Sequence, residues 1–223
     1  MSCKASSDQP KCPVDHSSRE TWLLNAATSS DSSTVEISPL NQMPVHPQQE
    51  SRTSQKTILS KSRQLSSIPR SDQSSQNWIY PSEQMFFDSM IRKQQKPEEK
   101  DMKYVVPVHN AVNERTWMEI MKWEKGRGGT ICGGPKLLKF EGNPQKLSPK
   151  ARFMKLLGYE PPFDRHDWIV DRCGKKVHYV IDYYSGKPNE RRPIAPSFYI
   201  DARPAFDFEG AQMRISRFFS ELF

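Results

Sequence analysis

The sequence predicts an α+β domain, about four helices packed around a small antiparallel sheet, preceded by a long disordered N-terminal tail. Three observations predict it. Apolar residues recur at helical spacing in four separate runs. Three β-branched and aromatic segments, divided by short turn signals, stand between the third and fourth runs. The composition also changes near residue 75. Residues 1–75 hold 19 Ser, no Gly and one aromatic, Trp22. Such a stretch lacks the apolar surface to offset its ordering entropy. The chain therefore divides into a Ser/Gln/Pro-rich tail at 1–75 and a domain at 76–223.

Order is expected from near Asn77. Pro81 suits a first helical turn, Glu83 its positive end, and Met85, Phe86, Met90 and Ile91 its apolar stripe. Tyr104–Val108, broken by Pro107, reads as an extended or edge segment. His109 then falls in a loop, with Asn113 as N-cap and Glu114 in the first turn of a second helix. That helix runs through Trp117, Ile120 and Met121 until Gly126 stops it. Lys136–Glu141 reads as a short strand. Ser148-Pro149 opens a third helix with Phe153, Leu156 and Leu157 on its apolar face. Asp167–Arg172, Lys176–Tyr184 and Ser197–Arg203 read as an antiparallel meander. Asp207 caps a last helix with Ala211, Ile215, Phe218, Phe219 and Leu222 along one face. Packing of that face on the sheet is expected, and contact with an anionic membrane is the alternative.

Several classes are excluded. No run approaches the about 18 apolar residues of a membrane span, and Met1–Asn25 has no secretory apolar core. The net charge is +7, but acids and bases are interspersed and no nucleic-acid-binding signature appears, so no nucleic-acid partner is expected. Four cysteines occur, Cys3, Cys12, Cys132 and Cys173, with no Cys-x-x-Cys among them. Cys132 and Cys173 are able to pair, and the sequence leaves that open.

A few residues bear chemistry. From its spacing His109, beside an aromatic-rich helix, reads first as an ordinary hydrogen-bonded histidine, with a neutral imidazole ligand to haem iron as the alternative. A helix N-terminus after it would disfavour imidazolium. Asp164-Arg165-His166-Asp167-Trp168 packs four ionisable groups together. Arg165, Arg172 and Lys175 are candidate partners for carboxylates such as haem propionates. Cys12-Pro13, with His16 nearby, offers a soft ligand in the tail.

Taken in order, the segments resemble the cytochrome c haem lyase (holocytochrome c synthase) family. They include Cys12-Pro13-Val14, Tyr80-Pro81-Ser82-Glu83-Gln84-Met85-Phe86-Phe87, Val108-His109-Asn110 with Asn113-Glu114 and Trp117, and Cys132-Gly133-Gly134-Pro135. Ser148-Pro149-Lys150-Ala151-Arg152, Pro162-Phe163-Asp164-Arg165-His166-Asp167-Trp168-Ile169, Arg172-Cys173-Gly174, Tyr179–Tyr184 and Asp201–Ala205 follow. The chain departs from the family at Gln94-Gln95-Lys96-Pro97, in a cysteine loop without a second Cys-Pro, and at His178.

The resemblance implies a lyase that binds haem b as substrate and joins its vinyl groups to the cysteines of an apocytochrome c, or c1. It implies a peripheral protein of the mitochondrial inner membrane, on the intermembrane-space side. His109 matches the axial iron ligand, Glu114 an acidic position of the same motif, and Tyr80, Met85, Trp117 and Arg172 are expected around the haem. His166, Arg165 and Cys12 are further candidates. A haem carrier without catalysis, or a basic nucleic-acid- or membrane-binding module, are the alternatives.

Overall fold

The computed structural model describes residues 38, 40, 49, 51, 55–71, 76–93, 95–143, 146–186 and 198–222. Cys12 lies outside them. Among the described residues the first element, β1 (Leu65–Pro69), falls inside the stretch that composition assigns to the tail. It pairs antiparallel with β2 (Asn77–Ile79), Leu65 opposite Ile79. Ser66, Ile68 and Trp78 turn inward from this ribbon. Order thus begins well before Asn77, because a few inward apolar residues suffice when the rest of the domain covers them.

Helix α1 (Glu83–Arg92) is capped by Ser82, whose hydroxyl accepts the Met85 N–H at 3.2 Å. Pro81 lies just outside the helix. Met85, Phe86, Phe87 and Met90 are buried.

The largest correction concerns α2 (Met102–Glu124). Tyr104–Val108 is not extended but is its second turn, with Pro107 inside the helix. His109, Asn113 and Glu114 accordingly lie mid-helix. A proline removes one backbone hydrogen bond and costs about 3 kcal/mol in a helix interior. Burial outweighs that cost here. Met102, Val106, Asn110, Trp117, Ile120 and Glu124 return to one face at helical period, straight through the proline.

Strand β3 (Lys136–Gly142), helix α3 (Pro149–Leu156), and strands β4 (Asp164–Arg172), β5 (Lys175–Ser185) and β6 (Phe198–Pro204) follow. The sheet runs β3-β4-β5-β6, antiparallel throughout, as the meander predicts. Cys173 and Gly174 make the two-residue β4–β5 turn, with Arg172 opposite Lys175 and both turn residues at positive φ (52° and 86°). Cys173 is joined to Cys132 by a disulfide, which ties this turn to the loop after α2. Trp78, Trp117, Leu137, Trp168, Val170, Tyr179 and Ile181 fill the core between α2, the ribbon and the sheet.

Helix α4 (Phe208–Leu222) closes the fold. Asp207 caps it, its carboxylate accepting the Gly210 N–H at 2.7 Å. Gly210 sits so close to Ala205 that a Cβ would fall 1.8 Å from the carbonyl oxygen. The expected apolar faces of the last two helices point the other way. Met213, fully buried, carries α4 against the core, while Phe218 is 62% exposed and Ile215 and Phe219 point outward with it. On α3 it is Ala151 that is buried, and Leu156 is 83% exposed.

Candidate functional site

The N-terminal half of α2 brings His109 to the seam with α1. Met102 and Val106 pack with Leu59, Phe86, Phe87 and Met90 in a small second core. One turn later His109 stands half-buried, its ring edge-on to Phe86 with centroids 5.2 Å apart. Because His109 is well inside the helix, the expected influence of a helix N-terminus on its imidazole is absent; that field fades within the first turn.

Glu114 gathers the other end of the motif. Its Oε1 accepts from the Ser66 hydroxyl at 2.7 Å, the Tyr80 hydroxyl at 2.9 Å and the Ser67 N–H at 3.0 Å. Its Oε2 accepts from the Ser67 hydroxyl. Burial alone would push this carboxyl up, but the bonds from Ser67, Ser66 and Tyr80 outweigh it and hold the group below its ordinary range. Burial, with Glu114 adding to it, pushes the Tyr80 phenol well above its usual value, so it stays a donor. Glu114 is thus an ionised clamp that binds the β1–β2 ribbon to α2. With four donors on its two oxygens, it is a positioning group rather than a base.

The remaining nominations separate. Met85 is buried in α1, and Trp117 belongs to the main core beside Ile68 and Trp78. Arg172 does not face His109. It is buried against the far end of α2, donating to Glu124 Oε2 at 2.5 Å and Oε1 at 2.8 Å, and to Glu209 at 2.7 Å. Fifteen helical residues separate His109 from Glu124, roughly 22 Å along the axis. Its expected place around a haem gives way to a buried ion-pair network that Tyr179 joins through Glu124 at 2.5 Å. Lys175 is likewise held by Glu209.

His166 and Arg165 point to opposite faces of β4, as strand alternation requires. His166 pairs with Asp164 at 3.1 Å and stands edge-on to Tyr183, whose hydroxyl meets Thr116 of α2 at 3.0 Å. Arg165 turns to the other side, to Asp167 at 2.9 Å. There Asn143 and His178 also reach Asp167.

Sequence reasoning missed Ser66, Ser67, Arg63 and Asn110. The first three lie in the Ser-rich stretch, where only Leu59, Leu65 and Ile68 hint at structure. Arg63 donates to the carbonyls of Tyr80 at 3.0 Å and Ile79 at 3.2 Å. Asn110, beside His109, is buried and donates to Gln64 at 3.0 Å.

Comparison with known proteins agrees with the order of the motifs. The family model for cytochrome c/c1 heme lyase matches residues 1–218. The protein named "Putative holocytochrome-c1 synthase" of Schizosaccharomyces pombe is 47% identical over 221 residues, 97% of this chain and 94% of the relative. The holocytochrome c-type synthase of Homo sapiens is 44% identical over 176 residues, 77% of this chain and 64% of the relative. The holocytochrome-c synthase of Saccharomyces cerevisiae is 37% identical over 247 residues, 98% of this chain and 89% of the relative. No solved structure matches. A match of this extent, on a chain that carries the motifs in order, places the protein in the cytochrome c/c1 heme lyase family, whose members are lyases of cytochrome c maturation.

Proposed function

We propose that the chain binds haem b as its substrate through His109 and joins the haem vinyl groups to the cysteines of an apocytochrome c or c1. The observation that carries this reading is the place of His109. It stands half-buried against Phe86, in the same helix as the Glu114 clamp that fixes the neighbouring ribbon. An imidazole in such a place is suited to an axial iron site. The apocytochrome supplies a Cys-x-x-Cys-His segment, whose histidine takes the other axial face and whose thiols come to lie beside the vinyls. Each thiol adds across a vinyl double bond: a sulfur–carbon bond forms, the thiol proton ends on the neighbouring carbon, and nothing is oxidised. Holding the partners in place supplies about 7–11 kcal/mol of the barrier.

The same reading places the protein peripherally at the mitochondrial inner membrane, facing the intermembrane space. Among the described residues no helix is long and apolar enough to cross a membrane. The outward Ile215, Phe218 and Phe219 beside Arg214 and Arg217 suit contact with an anionic interface. The Cys132–Cys173 disulfide suits a compartment that permits oxidation.

Coexpression with apocytochrome c or c1 in bacterial cytoplasm without its own maturation machinery tests the activity. Haem that stays with the denatured cytochrome establishes the synthase. Haem-loaded protein with no covalent product from either partner favours a carrier.

A further inference from the structure

We infer that the opening between residues 60–64, the start of α1 and α2 is a carboxylate subsite that takes a propionate arm of the haem. The inference deepens the haem-binding reading of His109 and rests on it. The opening measures about 180 Å³ and is bordered by Ser60, Ser62, Arg63, Glu83, Val106 and Asn110, among others. Sites that enclose a whole drug-sized ligand run to about 300–1,000 Å³, so a macrocycle does not fit inside. A space of this size suits a short arm ending in a carboxylate.

Two side chains give the opening its chemistry. Arg63 spends its Nε and Nη2 groups on the Tyr80 and Ile79 carbonyls, and among the described residues no carboxylate pairs with it. Among the described residues the guanidinium is therefore fixed in direction with no carboxylate paired to it, and its Nη1 hydrogens are left for a planar anion. Asn110 is 4% exposed; its Nδ2 donates to Gln64 while its Oδ1 is buried without a partner. A buried amide oxygen left unpaired is costly and marks a missing partner. Turning both amides over keeps the Asn110–Gln64 bond and puts an N–H in place of the unpaired oxygen, on a residue that borders the opening. Glu83, the acid at the rim, has its Oε2 on the Ser60 N–H at 3.2 Å.

Position links the opening to His109. Asn110 is the next residue of α2, and Glu83 precedes Phe86, the ring that His109 touches, by one turn of α1. On this proposal a macrocycle with its iron on His109 extends one propionate arm to the opening. The three cations that the sequence nominates are taken elsewhere: Arg165 by Asp167, Arg172 by Glu124 and Glu209, and Lys175 by Glu209.

The test titrates the full chain with haem and with iron protoporphyrin dimethyl ester, in which both propionates are esterified, reading the Soret band. The unmodified chain is expected to bind haem about tenfold more tightly than the diester, and Arg63→Gln to remove that preference by weakening haem alone. Arg63→Lys, which keeps the charge but loses the fork, falls between them. Equal weakening of haem and diester in Arg63→Gln, or no change in either, overturns the subsite. If His109→Ala leaves the iron spectrum of the unmodified chain unchanged, the haem-binding reading itself fails, whatever Arg63 does.

Discussion

The Tyr80 hydroxyl donates to Glu114 Oε1 at 2.9 Å, and this bond joins the end of the β1–β2 ribbon to the middle of α2. Ser66 and Ser67 reach the same carboxylate from the other strand. Tyr80→Phe removes one donor of four and is expected to cost about 1–2 kcal/mol in denaturant unfolding. Glu114→Ala strands the Tyr80 and Ser66 hydroxyls and is expected to cost more, about 2–4 kcal/mol. A smaller loss for Glu114→Ala than for Tyr80→Phe contradicts the clamp.

Arg172 is bound to two carboxylates at the far end of α2 and is expected to act in stability. Arg172→Met leaves Glu124 buried beside Tyr179 without its cation, at an expected cost of about 3–5 kcal/mol. Arg172→Met combined with Glu124→Met is expected to be less destabilised than Arg172→Met alone. Fluorescence-monitored unfolding of the two variants beside the unmodified protein checks this. Haem affinity of the folded fraction is expected to be unaltered.

These two residues also show what the sequence discloses. The motif Val108-His109-Asn110 with Asn113-Glu114 is local, so its residues are legible as a group. The meander is legible because its strands are neighbours and its turns carry Cys173-Gly174 and Ser185-Gly186. The state of Tyr104–Val108 is not legible, since Pro107 argues against a helix locally and only burial of Met102, Val106 and Asn110 decides for it. Arg172 reads as a free cation until Glu124, 48 residues earlier, is seen to meet it. Ser66 and Ser67 look like tail because their partner, Glu114, is as distant in sequence.

The disulfide between Cys132 and Cys173 spans 41 residues of sequence. Its reduction is expected to lower stability by about 4 kcal/mol through the freedom returned to the unfolded chain. Unfolding with and without a thiol reductant checks this, and Cys132→Ser/Cys173→Ser is expected to match the reduced protein and to ignore the reductant.

Asp167 is held by His178, Arg165 and Asn143. Burial raises its carboxyl, but those bonds outweigh it and set the group far below its ordinary 3.8. A carboxyl depressed in the folded state contributes stability that is full above the unfolded value and is lost as pH falls toward the folded one. Stability is therefore expected to fall between about pH 5 and pH 2. Asp167→Asn is expected to flatten that slope while lowering stability at pH 7.

The most direct test of the central claim is chemical rescue of the iron ligand. His109→Gly is coexpressed with apocytochrome c, with and without imidazole in the medium, and haem retained by the denatured cytochrome is measured. A ligand role predicts little product without imidazole and recovery with it, because the free base fills the vacated axial position. Product that is normal without imidazole, or lost and not restored by it in a folded protein, contradicts axial ligation by His109.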